Sequence, residues 1–223
     1  MLFEDASFEI EAASWTELIG PAGCGKSLLF SVLSLRASPH QGQIIIAGRN
    51  LDRLKGSAYA GLRRRIGSCS QSLELLERRT VIENLVLPLV VRGEASRGAE
   101  EAERMLDALQ LRALRDVAVG QLGSNEQRAV GIMRALIGRP ALIIVDAGLD
   151  GLEDSLARGF AGLLNASRAQ GSTVILLASQ RCTFAPDGAR HLVIRDAGVH
   201  AGDAHAPAAV EPPASSREGA LPC

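Results

Sequence analysis

The 223-residue chain balances 24 Lys and Arg against 25 Asp and Glu, a formal net charge of -1, with 47% hydrophobic residues. That profile suits one domain, or two small ones, able to bury a core without disulfides or metal, and it lacks the positive excess that nucleic acid or anionic lipid would attract. The apolar runs 85–91, 141–145 and 174–178 fall far short of the ~20 residues of a spanning helix, so no direct membrane span is expected.

Glu4, Asp5, Glu9 and Glu11 interrupt the start, which therefore does not read as a secretory signal, and a cytoplasmic location is expected. Alternation at Phe8 and Ile10 predicts a short strand. Trp15 to Ile19 predicts a second, running into a Gly-rich turn and a helix from Lys26. The apolar positions Leu28, Leu29, Val32, Leu33 and Leu35 suit burial against a sheet, with Pro39 marking the end of that helix. Gln43 to Ala47 predicts a strand. From Leu73 to Leu122 the character is helical: Ala102, Met105, Leu106 and Leu109 share a face opposite Glu100, Glu101, Glu103, Arg104 and Asp107. Val130, Met133, Leu136 and Ile137 give another one-sided helix. Ala141 to Val145 then reads as a buried strand ending at Asp146. A helix through Leu156, Phe160, Leu163 and Leu164 and strands at Thr173 to Leu177 and Leu192 to Arg195 complete the pattern. Strands alternating with helices predict an α/β fold with a mostly parallel sheet and an inserted α-helical subdomain. The expected boundaries are 1–71 and 139–198 for the two parts of the core, 72–138 for the insert, and 199–223 for a disordered tail rich in Ala, Pro, Ser and Glu.

Gly20-Pro21-Ala22-Gly23-Cys24-Gly25-Lys26-Ser27 fits G-x-x-x-x-G-K-[ST] between a strand and a helix, the context in which that motif is a P-loop. Its amides cradle phosphates, Lys26 reaches the β and γ phosphates, and the Ser27 hydroxyl ligates Mg²⁺. Leu28 extends the candidate site, and ATP with Mg²⁺ is the expected ligand. The competing reading is a Gly-rich turn that binds nothing. Against it, lysine stands only at Lys26 and Lys55 in an arginine-rich chain, so Lys26 has the look of a required point charge. Asp146 is the expected Mg²⁺-side carboxylate, the alternative being a helix N-cap. Cys24 occupies a variable loop position, where bound nucleotide should shield its thiol. It, Cys69, Cys182 and Cys223 show no metal-like spacing and read as reduced thiols.

With Lys26 and Asp146 separated by a helical insert, the chain resembles ABC transporter ATP-binding subunits. Residues 62–67, Gln71, 79–84 and 88–93 are similar to the Q-loop region of the cell-division FtsE and lipoprotein-release LolD branch. Arg134-Ala135-Leu136 and Pro140 resemble the end of its signature helix. The resemblance implies that Gln71 contacts Mg²⁺ or the attacking water. It further implies that the helical subdomain docks an integral membrane permease subunit, and that a second ATP-binding subunit, identical or not, completes a dimer at the cytoplasmic face of the inner membrane. Arg63 to Arg65 read as a solvated face.

Four departures accompany the resemblance. The Leu-Ser-Gly-Gly-Glu signature falls on Leu122-Gly123-Ser124-Asn125-Glu126, where Ser124 or Asn125 could cap a helix. Ala147 replaces the family's catalytic glutamate and Gln180 its switch histidine, so no catalytic residue is assigned; Asp150 and Glu153 are not expected to substitute. The adenine-stacking aromatic maps upstream of Met1. The expectation is an ATP-binding subunit of a transport or cell-division complex with weak hydrolysis, or else a non-hydrolysing, nucleotide-gated scaffold.

Overall fold

The computed structural model describes residue 3 and residues 6–202. Among the described residues six strands form the main sheet: β1 (Trp15–Ile19), β4 (Ile66–Cys69), β5 (Leu142–Asp146), β6 (Thr173–Ala178), β7 (Arg190–Arg195) and β8 (Gly198–Ala201). Their spatial order is β4-β5-β6-β1-β7-β8, parallel except for β8. Strands β2 (Ile45–Ile46) and β3 (Arg49–Asn50) pair apart from it as a small antiparallel ribbon. The helices are α1 (Lys26–Leu33), α2 (Gly56–Arg63), α3 (Val81–Val90), α4 (Ala95–Ala108), α5 (Ser124–Leu136) and α6 (Asp154–Ala169).

Side chains alternate across the sheet and both faces are covered. Leu18, Ile144, Ile175 and Leu177 meet Phe30 and Leu33 of α1 on one face. Trp15, Ile143, Val145, Val174 and Leu176 meet α5 and α6 on the other, and this core continues into the helical insert through Leu85, Leu89 and Leu106. Thr80 and Glu83 cap α3 reciprocally: Glu83 N donates to Thr80 Oγ1 (3.3 Å) and Thr80 N to Glu83 Oε2 (2.9 Å). The Asn84 side chain, fully buried, donates to the carbonyls of Leu76 (3.1 Å) and Thr80 (3.0 Å) and accepts from Leu76 N (2.8 Å), fixing the loop before α3. Among the described residues no helix is long and apolar enough to cross a membrane.

The structure departs from the sequence expectations at several places. Phe8 and Ile10 are not in a strand; partly buried, they pack on the α1-side core and have no backbone partner among the described residues. The strand expected at 43–47 shrinks to Ile45–Ile46, because Ala47 (φ 50°) and Gly48 (φ 73°) turn the chain back. Helix α1 ends at Leu33, before Pro39, where Leu35 takes φ 60°. Residues 199–201, assigned to a tail, belong to β8: Asp196 (φ 48°) and Ala197 (φ 56°) make a tight two-residue hairpin turn. Residues 203–223 of the expected tail lie outside the described residues.

Edge strand β4 exists because α5 can approach it closely. A Cβ on Gly67 would lie 1.8 Å from the Ala135 carbonyl oxygen and 2.9 Å from Pro140 Cγ. Gly67→Ala should therefore cost about 3 kcal/mol or more, because the clash is with helix backbone. A urea midpoint equal to that of the unaltered chain would contradict this packing.

Candidate nucleotide-binding site

The loop leaves β1 with Gly20 N donating to Ala178 O (3.1 Å), which fixes it to the end of β6. Gly23 (φ 80°) and Gly25 (φ 102°) take left-handed conformations that a side chain would strain. Gly25 is the N-cap of α1, no side chain caps that end, and its first turn holds no acidic residue. The N-terminal amides and positive dipole end are thus left for an anion. Lys26 Nζ folds back onto the loop, donating to the carbonyls of Gly20 (2.5 Å) and Pro21 (2.8 Å), and lies 4.0 Å from Cys24 Sγ. Pro21, Ala22 and Gly23 are exposed, as is Leu28 at 43%.

Beside the loop is a cleft of about 460 Å³ whose walls include Ser27, Gln71 and Asp146. Asp146 is 4% exposed. Its Oδ1 accepts from Ala147 N (3.0 Å), and its backbone carbonyl and that of Gly148 both accept from Arg128 Nη2, at 2.7 and 2.9 Å. The N-cap of α6 is Glu153, so Asp146 is not a helix cap. A hydroxyl, an amide oxygen and one carboxylate fit Mg²⁺, which uses few protein oxygens and keeps phosphate and water as its other ligands. Among the described residues no cluster of three His, Cys, Asp or Glu side chains could hold a metal.

The segment after Gln71 is held in an unfavourable backbone. Leu73 (φ 59°) and Glu74 (φ 52°) are consecutive left-handed residues with side chains, a conformation costing roughly 1–2 kcal/mol per residue. Arg134 clamps both, donating to Leu73 O (2.6 Å) and Glu74 O (2.8 Å). Burial pulls the Arg134 guanidinium below its ordinary pKa. Glu74 also pairs with Arg36, whose guanidinium lies over the Phe30 ring. The positioning roles of Arg128 and Arg134 escaped the sequence reading. The one available signal was Arg134 itself, four residues after Val130 and three before Ile137 on an otherwise apolar stripe.

Helix α5 starts at Ser124 with Gly123 as N-cap. Neither Ser124 nor Asn125 caps it; Glu126 reaches back, its Oε2 accepting from Gly123 N (2.9 Å). The helix end is thus closed by Glu126, the signature glutamate that this chain retains, and not by the expected Ser124 or Asn125. Ala147 (φ 67°) follows Asp146 directly. Asp150 Oδ2 accepts from Ser179 N (3.1 Å), tying the loop after β5 to the one after β6. Gln180 follows, exposed. Arg63, Arg64 and Arg65 are exposed, as expected of a solvated face. Cys24 is partly exposed, whereas burial pushes the Cys69 thiol up to about 11 and raises that of Cys182. Cys223 lies outside the described residues.

A family profile described as ABC transporter matches residues 3–148. The chain belongs to the ABC transporter ATP-binding family. Within this ABC family it is 31% identical over 205 residues to the cell division ATP-binding protein FtsE of Escherichia coli, covering 91% of each chain. It is 33% identical over 178 residues to the methionine import ATP-binding protein MetN of Cupriavidus metallidurans, covering 79% of this chain and 52% of that relative. The dimeric ATP-binding cassette MJ0796, solved after hydrolysis with ADP and Pi, superposes with a TM-score of 0.79 at 23% identity, over 89% of this chain and 88% of the other. The P-loop ABC fold, with its mostly parallel sheet, is the one the sequence led us to expect.

Proposed function

We propose that this ABC family member is the ATP-binding subunit of a membrane transport or cell-division complex, that it binds Mg-ATP, and that its turnover is slow. The observation carrying the reading is the combination of an intact phosphate loop with Ala147 beside Asp146. Residues 20–28 receive the phosphates, and the Lys26 ammonium exchanges the Gly20 and Pro21 carbonyls for phosphate oxygens. Ser27, Gln71 and Asp146 would hold Mg²⁺, which supplies charge neutralisation at the β and γ phosphates. Gln180 faces the γ-phosphate as a hydrogen-bonding group, and glutamine cannot exchange a proton as imidazole does. No carboxylate occupies position 147 to orient or deprotonate water.

The FtsE and MetN resemblances support attachment to an integral membrane permease through the helical subdomain, at the cytoplasmic face of the inner membrane. A second ATP-binding subunit would complete a dimer. A second reading, a nucleotide-gated scaffold that does not hydrolyse, is favoured by Gly123, Ser124 and Asn125, where the serine and both glycines that would close over a partner's γ-phosphate are displaced or lost.

Cys24 reports loop occupancy directly. In a Cys223→Ser background, with Cys69 and Cys182 slowed by burial, maleimide should label Cys24 first. At Mg-ATP about ten times its Kd, labelling should slow about tenfold, as the free fraction sets the rate. Equal rates with and without Mg-ATP would remove the loop as the binding site.

A further inference from the structure

One ionisable side chain of the central strand takes no part in the site described above. Glu17, on β1, is 0% exposed and stands on the sheet face that packs against α5 and α6. A carboxylate there is costly unless hydrogen-bonded. Both its oxygens are engaged: Trp15 Nε1 donates to Oε1 (3.1 Å), Cys182 N donates to Oε2 (3.2 Å), and His191 Nε2 of β7 lies 3.4 Å from Oε2. The Cys182 bond spans 165 residues of sequence and fastens the loop after β6 to the strand that leads into the phosphate loop.

The placement of that bond is informative. Ser179 N is held by Asp150 (3.1 Å) and Cys182 N by Glu17 (3.2 Å), so Gln180 is bracketed by two backbone amides anchored on carboxylates. We propose that Glu17 is a positioning residue for Gln180, setting where its side chain stands and thereby the preference of the site for nucleoside triphosphate over diphosphate. This rests on the reading above that Gln180 faces the γ-phosphate.

Glutamine cannot replace the carboxylate isosterically in function, because its amide nitrogen would face either Trp15 Nε1–H or Cys182 N–H, donor against donor. Protonation of Glu17 has a similar effect. Burial raises its pKa above the ordinary carboxylate value; the bonds from Trp15 and Cys182 and the Arg181 charge oppose this, and Asp150 adds to it. Burial and Arg181 lower the pKa of His191, which faces it as neutral imidazole near pH 7. As pH falls through the raised Glu17 value, the carboxyl gains a proton, loses one acceptor position and loosens the Cys182 anchor.

The test measures Kd for Mg-ATP and Mg-ADP between pH 5.5 and 8 on the full chain, Glu17→Gln, Gln180→Ala and the double variant. At the upper end of that pH range the ATP-over-ADP preference should fall about 10- to 150-fold in Glu17→Gln, the worth of one hydrogen bond to a charged group. Gln180→Ala should match it, and the double variant should lose no more than either single one. The preference of the unaltered chain should decline towards low pH, and this decline should vanish in Gln180→Ala. That second comparison needs only the exposed Gln180, so it decides even if Glu17→Gln does not fold. An unchanged preference in Glu17→Gln, losses that add in the double variant, or a pH decline that persists in Gln180→Ala overturns the proposal while leaving nucleotide binding intact. Absence of Lys26-dependent binding of either nucleotide is a different pattern, and it overturns the proposed function and this role together.

Discussion

Ala147→Glu should raise single-turnover hydrolysis of Mg-ATP by about 10²–10⁴-fold, the usual contribution of a positioned general base. The backbone is ready for it. Ala147 already carries a Cβ at φ 67°, and its N–H is bonded to Asp146 Oδ1, so a longer side chain brings no new backbone strain. The new carboxylate would enter beside Asp146, which shares a cleft with Ser27 and Gln71. Gln180 is unchanged in this variant, and so is the altered signature at Gly123 to Asn125, so the gain should fall towards the lower end of that range. Adding Gln180→His should raise it further. Rapid-quench measurement with protein in excess over ATP separates this step from product release. A gain below tenfold would mean that Ala147 is not the missing element.

Lys26→Ala should weaken Mg-ATP binding by at least about a hundredfold, or about 2.7 kcal/mol. The Lys26 ammonium is the charged side chain that folds onto the loop, bonded to the Gly20 and Pro21 carbonyls where phosphate oxygens would compete for it. The amides and helix end of α1 survive the substitution, so weak anion binding should remain. Equilibrium dialysis with labelled nucleotide reads the change. Affinity within threefold of the unaltered chain would place the phosphates elsewhere.

The parts of the fold that are plain in the sequence are those where burial is symmetrical. Strands β5 and β6 lie inside the sheet with both faces covered, so they read as short apolar runs, and β1, with Thr16 and Glu17 in it, is marked by the Gly-rich turn that follows. Strand β4 carries Gly67 and Ser68 and has no such run; tertiary contact with α5 and β5 makes it a strand. Phe8 and Ile10 mislead in the opposite direction, because alternation reports burial and they are partly buried against the core without a strand partner among the described residues. The β7–β8 hairpin was hidden because its turn, Asp196-Ala197, lacks the usual glycine, and because His200 and Ala201 are exposed.

The candidate site divides in the same way. The phosphate loop is contiguous, so its spacing alone exposes it, and Asp146 follows from the apolar strand that ends on it. The bonds that aim these groups are long-range: Arg128 to the Asp146 carbonyl, Arg134 to Leu73 and Glu74, Glu17 to Cys182. Each joins residues whose proximity exists only after the sheet has formed. A lone buried carboxylate such as Glu17 leaves no periodic trace, standing beside Thr16 as one of two polar positions in a five-residue strand.

The most direct test of the account is the fate of labelled Mg-ATP in a single turnover on the unaltered protein, with Lys26→Ala and Ala147→Glu run beside it. The account predicts ATP that is bound through Lys26 yet stays intact while Ala147→Glu converts it to ADP. Prompt hydrolysis by the unaltered protein, abolished by Lys26→Ala, would make this a working ATPase and contradict the role given to Ala147.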